Sequence, residues 1–563
     1  MAIRTPMSVQ DALWLTMDRP NNLMIIDGVL ILATNPGYRA VLDVVSRRVS
    51  GRFPVYRRLP VRDGAGWAWL DDPDFDPARH VKQVRLDPPA DIPALQRFVS
   101  EQRARSLPRS RPLWVMYFVD GVRLDDGTQG SAIVVRSHHA IADGVRITQV
   151  MFSMCDAEQP VVEALVSARP GDGAGTLPIA LPAPVATAVG LAADTVSAVG
   201  DSATGLGKLV ARSTVRAGSA VAGAAGRAAT DPAAAGLALV GALTATPGLL
   251  RAGLRAGSPI SAANNLGVVL RPSRLVDALT ALGGQHNRAV NDVASVGKLL
   301  LSSSPETVWS GKPDVRKAVA WSAPMSLAEV KAVSRRQGAT VNDVLLAAVA
   351  GGLRRYLALH DARSAEIQWM VPVNLKPFAD NLPEELGNYF ALVMLPMPLG
   401  EADPAERIRQ VKARMDRIKR SDEAALTFGL QRVISMAPGK VPFALTNFFA
   451  NKTVGVLTNV PGPGGLLRFG GSTVVQIVGF APCSGDQPMT ATIFSYNGEV
   501  TVGFATDAGL VPDPEVLVAL VAEETAAMRS LLPGGTAIRE SRRRRTARPE
   551  VSPAPPELTP AVP

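Results

Sequence analysis

The stretch Ser131 to Gly144, SAIVVRSHHAIADG, sets the strictest condition on how this chain can fold. Its run Ala132-Ile133-Val134-Val135 carries no polar residue and predicts a buried strand, which has to be covered by other layers. That strand delivers two adjacent histidines, His138 and His139, into a short loop closed by Asp143 and Gly144. A neutral imidazole at the mouth of a buried strand is suited to take a proton from a substrate, because its unperturbed pKa of about 6.5 lies near working pH. No other part of the sequence offers a comparable base.

The chain has 563 residues. One compact core rarely grows past about 250–300 residues, so two large lobes are expected. Apolar residues make up 47% and aromatics only 5%, which leaves Ala, Val and Leu to fill the core. Cys155 and Cys483 are the only cysteines, too few for a disulfide framework, and they point to a reducing compartment. The first twenty residues hold Gln10, Asp11, Asp18 and Arg19, so they lack the apolar core of a signal peptide, and a cytoplasmic location is expected. The net charge of +9 is spread along the chain without interleaved aromatics. Nucleic acid is therefore an unexpected partner, and an anionic membrane or lipid-droplet surface a more natural one.

Periodicity divides the chain into four parts. Residues 1–160 alternate strands and helices: strands at Met24–Leu32, Trp114–Val122 and Ser131–Arg136, and helices at Ala40–Ser50 and about Val145–Cys155. Residues 161–316 form a crossover, rich in Ala, Gly and Pro from about Pro170 to Ser258. Within it Lys208, Arg212 and Arg216 recur every fourth position, a spacing that fits an interfacial basic stripe as well as a plain linker. Pro232–Leu250 is uncharged and near spanning length, but its Gly and Pro residues argue against a membrane span.

The second lobe covers 317–533. It is expected to hold strands at Lys317–Met325, Ile367–Leu375, Tyr389–Leu395, Thr453–Asn459 and Thr473–Phe480. Helices are expected from a Ser326/Glu329 capping box to Gln337, over Thr340–Leu359, over Asp403–Ser421 and from Asp513 to about Leu531. Asn497-Gly498 signals a hairpin between Thr490–Tyr496 and Glu499–Ala505. Residues 534–563, with four successive arginines at 542–545 among prolines, read as a disordered tail.

Several chemistries lack their motifs. The five histidines stand in no HExxH spacing and there is no CxxC, so no metal site is expected. The chain holds no G-x-S-x-G elbow, no P-loop lysine and no dinucleotide fingerprint, so no nucleotide cofactor is expected. On local sequence alone the histidine pair reads equally as core packing, with Asp143 capping the helix that follows.

His138 to Gly144 matches HHxxxDG, the motif of CoA-dependent acyltransferases, and the chain resembles the bacterial wax ester synthase/diacylglycerol acyltransferase family. Ser8–Asp18 with Asn22-Leu23-Met24 resembles the family's start, Pro112-Leu113-Trp114 its PLW motif and Asn342-Asp343-Val344 its ND motif. Val371-Pro372-Val373, Gly387-Asn388 and Thr458-Asn459-Val460-Pro461-Gly462-Pro463 follow in the expected order. Asn374 and Lys376 depart from the Ser and Arg often found there, and the Ala-rich segment is a second departure.

The resemblance implies an α/β (α+β) fold of two chloramphenicol-acetyltransferase-like lobes joined by a helical crossover, with a tunnel between them. It implies O-acyl transfer from acyl-CoA, a co-substrate rather than a resident cofactor, to diacylglycerol or a long-chain alcohol. His139 is then the general base and His138 secondary; Asp143 fixes the loop through an ion pair and Gly144 permits the turn into the helix. Asn342 and Asp343 would shape the site or the lobe contact, and Thr458 and Asn459 would set polar groups near the reacting carbonyl. A protein that keeps this fold as a non-catalytic lipid-droplet coat is the rival reading.

Overall fold

The computed structural model describes residues 4–64, 66–158, 304–374, 382–420 and 441–533, together with 427 and 431. The Ala-rich stretch with Lys208, Arg212 and Arg216, the Pro232–Leu250 run, Lys376 and the tail after Pro533 lie outside the described residues. Among the described residues no helix is long and apolar enough to cross a membrane.

Two seven-stranded sheets carry the architecture. The first runs in the order Val81–Arg85, Trp114–Arg123, Gln129–His138, Ile25–Leu32, Ser472–Phe480, Leu467–Phe469 and Asp156–Ala157. Gln129–His138 and Ile25–Leu32 sit at its centre, and every residue of Ile25–Leu32 is buried, including Asp27, whose carboxylate accepts from Arg136 Nε at 2.9 Å. The second sheet orders Met325–Ser326, Glu499–Asp507, Met489–Tyr496, Gly455–Pro461, Glu366–Asn374 and Phe390–Pro398, with Lys317–Trp321 also paired to Glu499–Asp507. Asn497 and Gly498 both have positive φ (48° and 79°), the backbone that a two-residue hairpin of this hand needs.

Two strands depart from sequence order. Leu467–Phe469 and Ser472–Phe480 leave the second half of the chain, the longer pairing antiparallel with Ile25–Leu32, so both belong to the histidine sheet. From there Gln476 Nε2 donates to the Ser322 carbonyl (2.8 Å) and to Thr501 Oγ1 (3.0 Å), both in the other half. The close approach of the two halves also shows at Gly503, where an added Cβ would lie 2.9 Å from the Phe480 ring.

Behind the second sheet lies the helix Val341–Leu359, buried along nearly its whole length. Gly351 and Gly352 let it close on the helix Pro514–Ala527, since a Cβ at Gly352 would lie 2.5 Å from Val521 Cγ2. The expected helix over Ala40–Ser50 is Tyr38–Val45 with a wider last turn to Ser50. Ser326 Oγ accepts the Glu329 N–H at 3.3 Å, but the reciprocal capping box stands at the next helix, between Thr340 and Asp343. Elements with no sequence expectation include the helices Val9–Met17 and Ile92–Arg103 and the hairpin Arg58–Asp63 with Gly66–Asp71.

Candidate active site

A cavity of about 250 Å³ lies between the two sheets. Met24, Ile26 and Gly28 face it from one side, Met370, Leu392 and Val456 from the other, and its wall is mostly apolar. His139, Asp143, Gly144, Asn342, Thr458 and Asn459 all line it; His138 and the Pro112-Leu113-Trp114 motif do not.

The two histidines part because the strand ends between them. His138 is the last residue of Gln129–His138, and its N–H donates to the Leu113 carbonyl (2.9 Å). Its Nδ1 accepts the Ala140 N–H (3.1 Å), and its Nε2 faces the Asp18 carboxylate at 3.5 Å. Burial pushes the Asp18 carboxyl up, but contact with His138, the Met24 N–H and Arg109 brings it below the usual range. The PLW motif thus acts from behind: Leu113 holds the strand end, while Trp114 stacks on His80 and donates Nε1 to the Tyr56 carbonyl (2.8 Å).

His139 turns the other way. Its N–H donates to the Met24 carbonyl (2.8 Å), and its ring stacks on Trp14 with centroids 4.0 Å apart and packs against Phe390 at 5.5 Å. Only 7% of the residue is exposed. Burial is the main reason the ring's pKa drops to about 3, with the neighbouring His138 adding to the fall. The imidazole is therefore neutral throughout the working range.

The loop between these histidines and the following helix is gripped by three consecutive residues of the other half. The Gly387 carbonyl accepts the Asp143 N–H (3.3 Å), Asn388 Nδ2 donates to the His139 carbonyl (2.9 Å), and the Tyr389 N–H donates to Asp143 Oδ2 (2.8 Å). Gly387 has φ +69°, left-handed backbone that a residue with a Cβ rarely adopts. Asn388 Nδ2 also reaches Asp11 Oδ1 at 2.7 Å, and burial raises that carboxyl to about 6.

Asp143 caps the helix Gly144–Ser153 through Oδ1, which accepts the Arg146 N–H at 2.9 Å. The expected ion pair is absent among the described residues: the Arg146 guanidinium turns to Gln149 Oε1 (3.0 Å) instead. The buried carboxylate is held by two backbone N–H groups, and burial raises its pKa against their pull. Gly144 is also corrected. Its backbone φ is not in the left-handed region, and a Cβ there would meet nothing within 4 Å, so the missing side chain leaves cavity space rather than permitting a turn.

The Asn342-Asp343 pair splits. Asp343 closes the capping box of its own helix: its carboxylate accepts the Thr340 N–H (2.9 Å) and its N–H reaches Thr340 Oγ1 (3.2 Å). Asn342 faces the cavity, where its Oδ1 accepts from Asn459 Nδ2 at 2.8 Å. Thr458 Oγ1 lies 3.3 Å from Thr492 Oγ1, and Asn374 also lines the cavity. Trp14, Asp11, Asp18 and Asn388 were not singled out by sequence chemistry; only the resemblance of Ser8–Asp18 and Gly387-Asn388 to family motifs marked their segments.

Comparison with known proteins gives the family. Residues 7–240 match the wax ester synthase/diacylglycerol acyltransferase catalytic domain, and residues 386–529 match the C-terminal domain of the same family. The “Probable diacyglycerol O-acyltransferase tgs1” of Mycobacterium tuberculosis is 23% identical over 509 residues, covering 88% of this chain and 89% of that protein. Among solved structures, the wax ester synthase/diacylglycerol acyltransferase from Marinobacter aquaeolei VT8 shares the fold, with a TM-score of 0.57 at 17% identity over 93% of this chain and 99% of the other. Two domain matches in the right order, covering more than half of the sequence and enclosing the histidine loop, lead to one conclusion: the chain belongs to the wax ester synthase/diacylglycerol acyltransferase family, and it is an acyltransferase.

Proposed function

We propose that this chain transfers a long acyl chain from acyl-CoA to the hydroxyl of diacylglycerol or of a long-chain alcohol, with His139 as general base. The observation that carries the reading is a neutral, buried imidazole on the wall of an apolar cavity between two sheets. Such a cavity suits hydrophobic chains, and Asn342, Thr458 and Asn459 are among the polar groups on its wall.

As the acceptor oxygen attacks the thioester carbonyl, its proton passes to His139; when the tetrahedral intermediate collapses, the same proton goes to the departing CoA thiolate. The products are the ester and CoA, and no covalent enzyme intermediate or resident cofactor is required. An imidazolium in this dry site is costly, so proton transfer runs concerted with attack and the charge is short-lived. His138, tied to Asp18, and Asp143, capping the helix, hold the loop that aims the base. Asn342, Thr458 and Asn459 supply polar contacts near the carbonyl.

The membrane part of the reading rests on sequence alone: Lys208, Arg212 and Arg216 would hold the enzyme at an anionic membrane or droplet surface, where its substrates collect. CoA release from palmitoyl-CoA, with dioleoylglycerol and hexadecanol offered singly and in competition, tests the substrate assignment. Acceptor-dependent release with either is expected, and release with neither removes the proposal.

A further inference from the structure

A second cavity, of about 170 Å³, lies between the helix Leu327–Arg336, the first turns of Val341–Leu359 and the end of Pro514–Ala527. Among the described residues none lines both cavities. Asn342 faces one and Val344 the other, because two residues along a helix turn the side chain through roughly 200°. Met325, Val330, Val333, Val344, Ala526 and Met528 give the second cavity an apolar wall. Its two hydroxyls are already engaged: Ser326 Oγ accepts the Glu329 N–H at 3.3 Å, and Thr525 Oγ1 donates to the Val521 carbonyl at 2.8 Å. The charged groups stand at the opening, where Arg529 Nη2 meets Glu329 Oε2 at 2.6 Å with about half of each side chain exposed. An occupant therefore has to be hydrocarbon inside and ionic only at its outer end.

The sign of that charge follows from the ion pair. A guanidinium carries five N–H donors and the contact with Glu329 runs through Nη2, so donors remain for a second carboxylate. Glu329 lies in the first turn of its helix, where the macrodipole favours negative charge and opposes a cation. The pair is exposed enough to be weak, so rearranging it costs little. Apolar voids of roughly 150 Å³ admit benzene, so this one takes a chain of about six to eight carbons. We propose that the second cavity binds a medium-chain fatty carboxylate, with its chain against Met325 and Met528 and its carboxylate on Arg529. This site stands apart from His139 and does not depend on the reading of that residue as base.

The test is a titration of the full-length protein with octanoate, read by NMR of 13C-labelled methionine methyls. The Met325 and Met528 signals are identified by their loss in Met325→Leu and Met528→Leu. Both are expected to shift saturably, while Met24 and Met370, on the wall of the first cavity, report binding there separately. Octanol, with the same chain and no charge, is expected to bind more weakly. Arg529→Gln, at a half-exposed position, is expected to fold and to weaken octanoate binding on the order of fivefold, with octanol binding unchanged. Glu329→Gln, which frees the guanidinium, is expected to bind octanoate at least as tightly as wild type. Octanoate binding indifferent to Arg529→Gln overturns the proposal, and so does the absence of a saturable shift at Met325 and Met528. Shifts confined to Met24 and Met370 would put the carboxylate in the first cavity and overturn it as well.

Discussion

If Asp143 works by accepting two backbone N–H groups rather than by its charge, replacements at that position fall in a definite order. Oδ1 caps the helix Gly144–Ser153 at the Arg146 N–H, and Oδ2 takes the Tyr389 N–H of the opposite half, each within 2.9 Å. Asp143→Asn and Asp143→Ser keep an oxygen that can cap, since Asn, Asp and Ser are near-equal caps, but each abandons the Tyr389 N–H. Losing a buried hydrogen bond to a charged acceptor costs about 1.5–3 kcal/mol, less whatever is regained by removing a desolvated carboxylate. Asp143→Ala gives up the cap as well, worth about 1 kcal/mol more. Urea unfolding followed by fluorescence, with midpoints compared at constant slope, should place Asn and Ser together and Ala below them by that increment. Equal losses for all three would mean that charge alone matters, and the capping argument would be wrong.

Asp11→Asn tests burial of the carboxylate behind Asn388. Its folded pKa of about 6 lies above the unfolded value near 3.8, so the stability tied to the protonated form is full below about pH 3.8 and lost as pH rises through 6. The variant should therefore melt higher than wild type at pH 8, by up to about 3 kcal/mol, and not at pH 4; an equal shift at both pH values would contradict this. The acid limb of kcat/KM due to His139 should fall well below 6.5, because burial holds the ring near 3, and Trp14→Ala, by wetting the ring, should move that limb upward. Gly144→Leu should fold normally and raise KM for long-chain donors, since its side chain enters cavity space; an unchanged KM would show that the chain takes another route. Flotation with anionic liposomes should weaken when Lys208, Arg212 and Arg216 are replaced by Ala, and undiminished flotation would remove the basic-stripe assignment.

What the sequence could show followed from the range of the forces involved. Strands with local apolar runs and helices with local caps were legible: Gln129–His138, Glu366–Asn374 and Val341–Leu359 stand where periodicity puts them. The hairpin Arg58–Asp63 with Gly66–Asp71 was not, because its Pro60 and charged residues blur the two-residue alternation. Nothing local in Ser472–Phe480 says which sheet it joins; that is decided by pairing with Ile25–Leu32, far away in the chain. The histidine loop was legible as a site. Its supports were less so, since Trp14 looks like any apolar helix residue and Asn388 like any loop amide until the fold sets both against His139. Asp343, expected to shape the site with Asn342, caps its own helix instead, while Asn342 beside it reaches the cavity.

The most direct measurement compares wild type with His139→Gln, matched for folding by circular dichroism, for CoA release from palmitoyl-CoA in the presence of dioleoylglycerol or hexadecanol. A fall in kcat on the order of 100-fold or more is predicted, because no other base lines the cavity in the same position. Turnover within a few-fold of wild type would contradict the account at its centre.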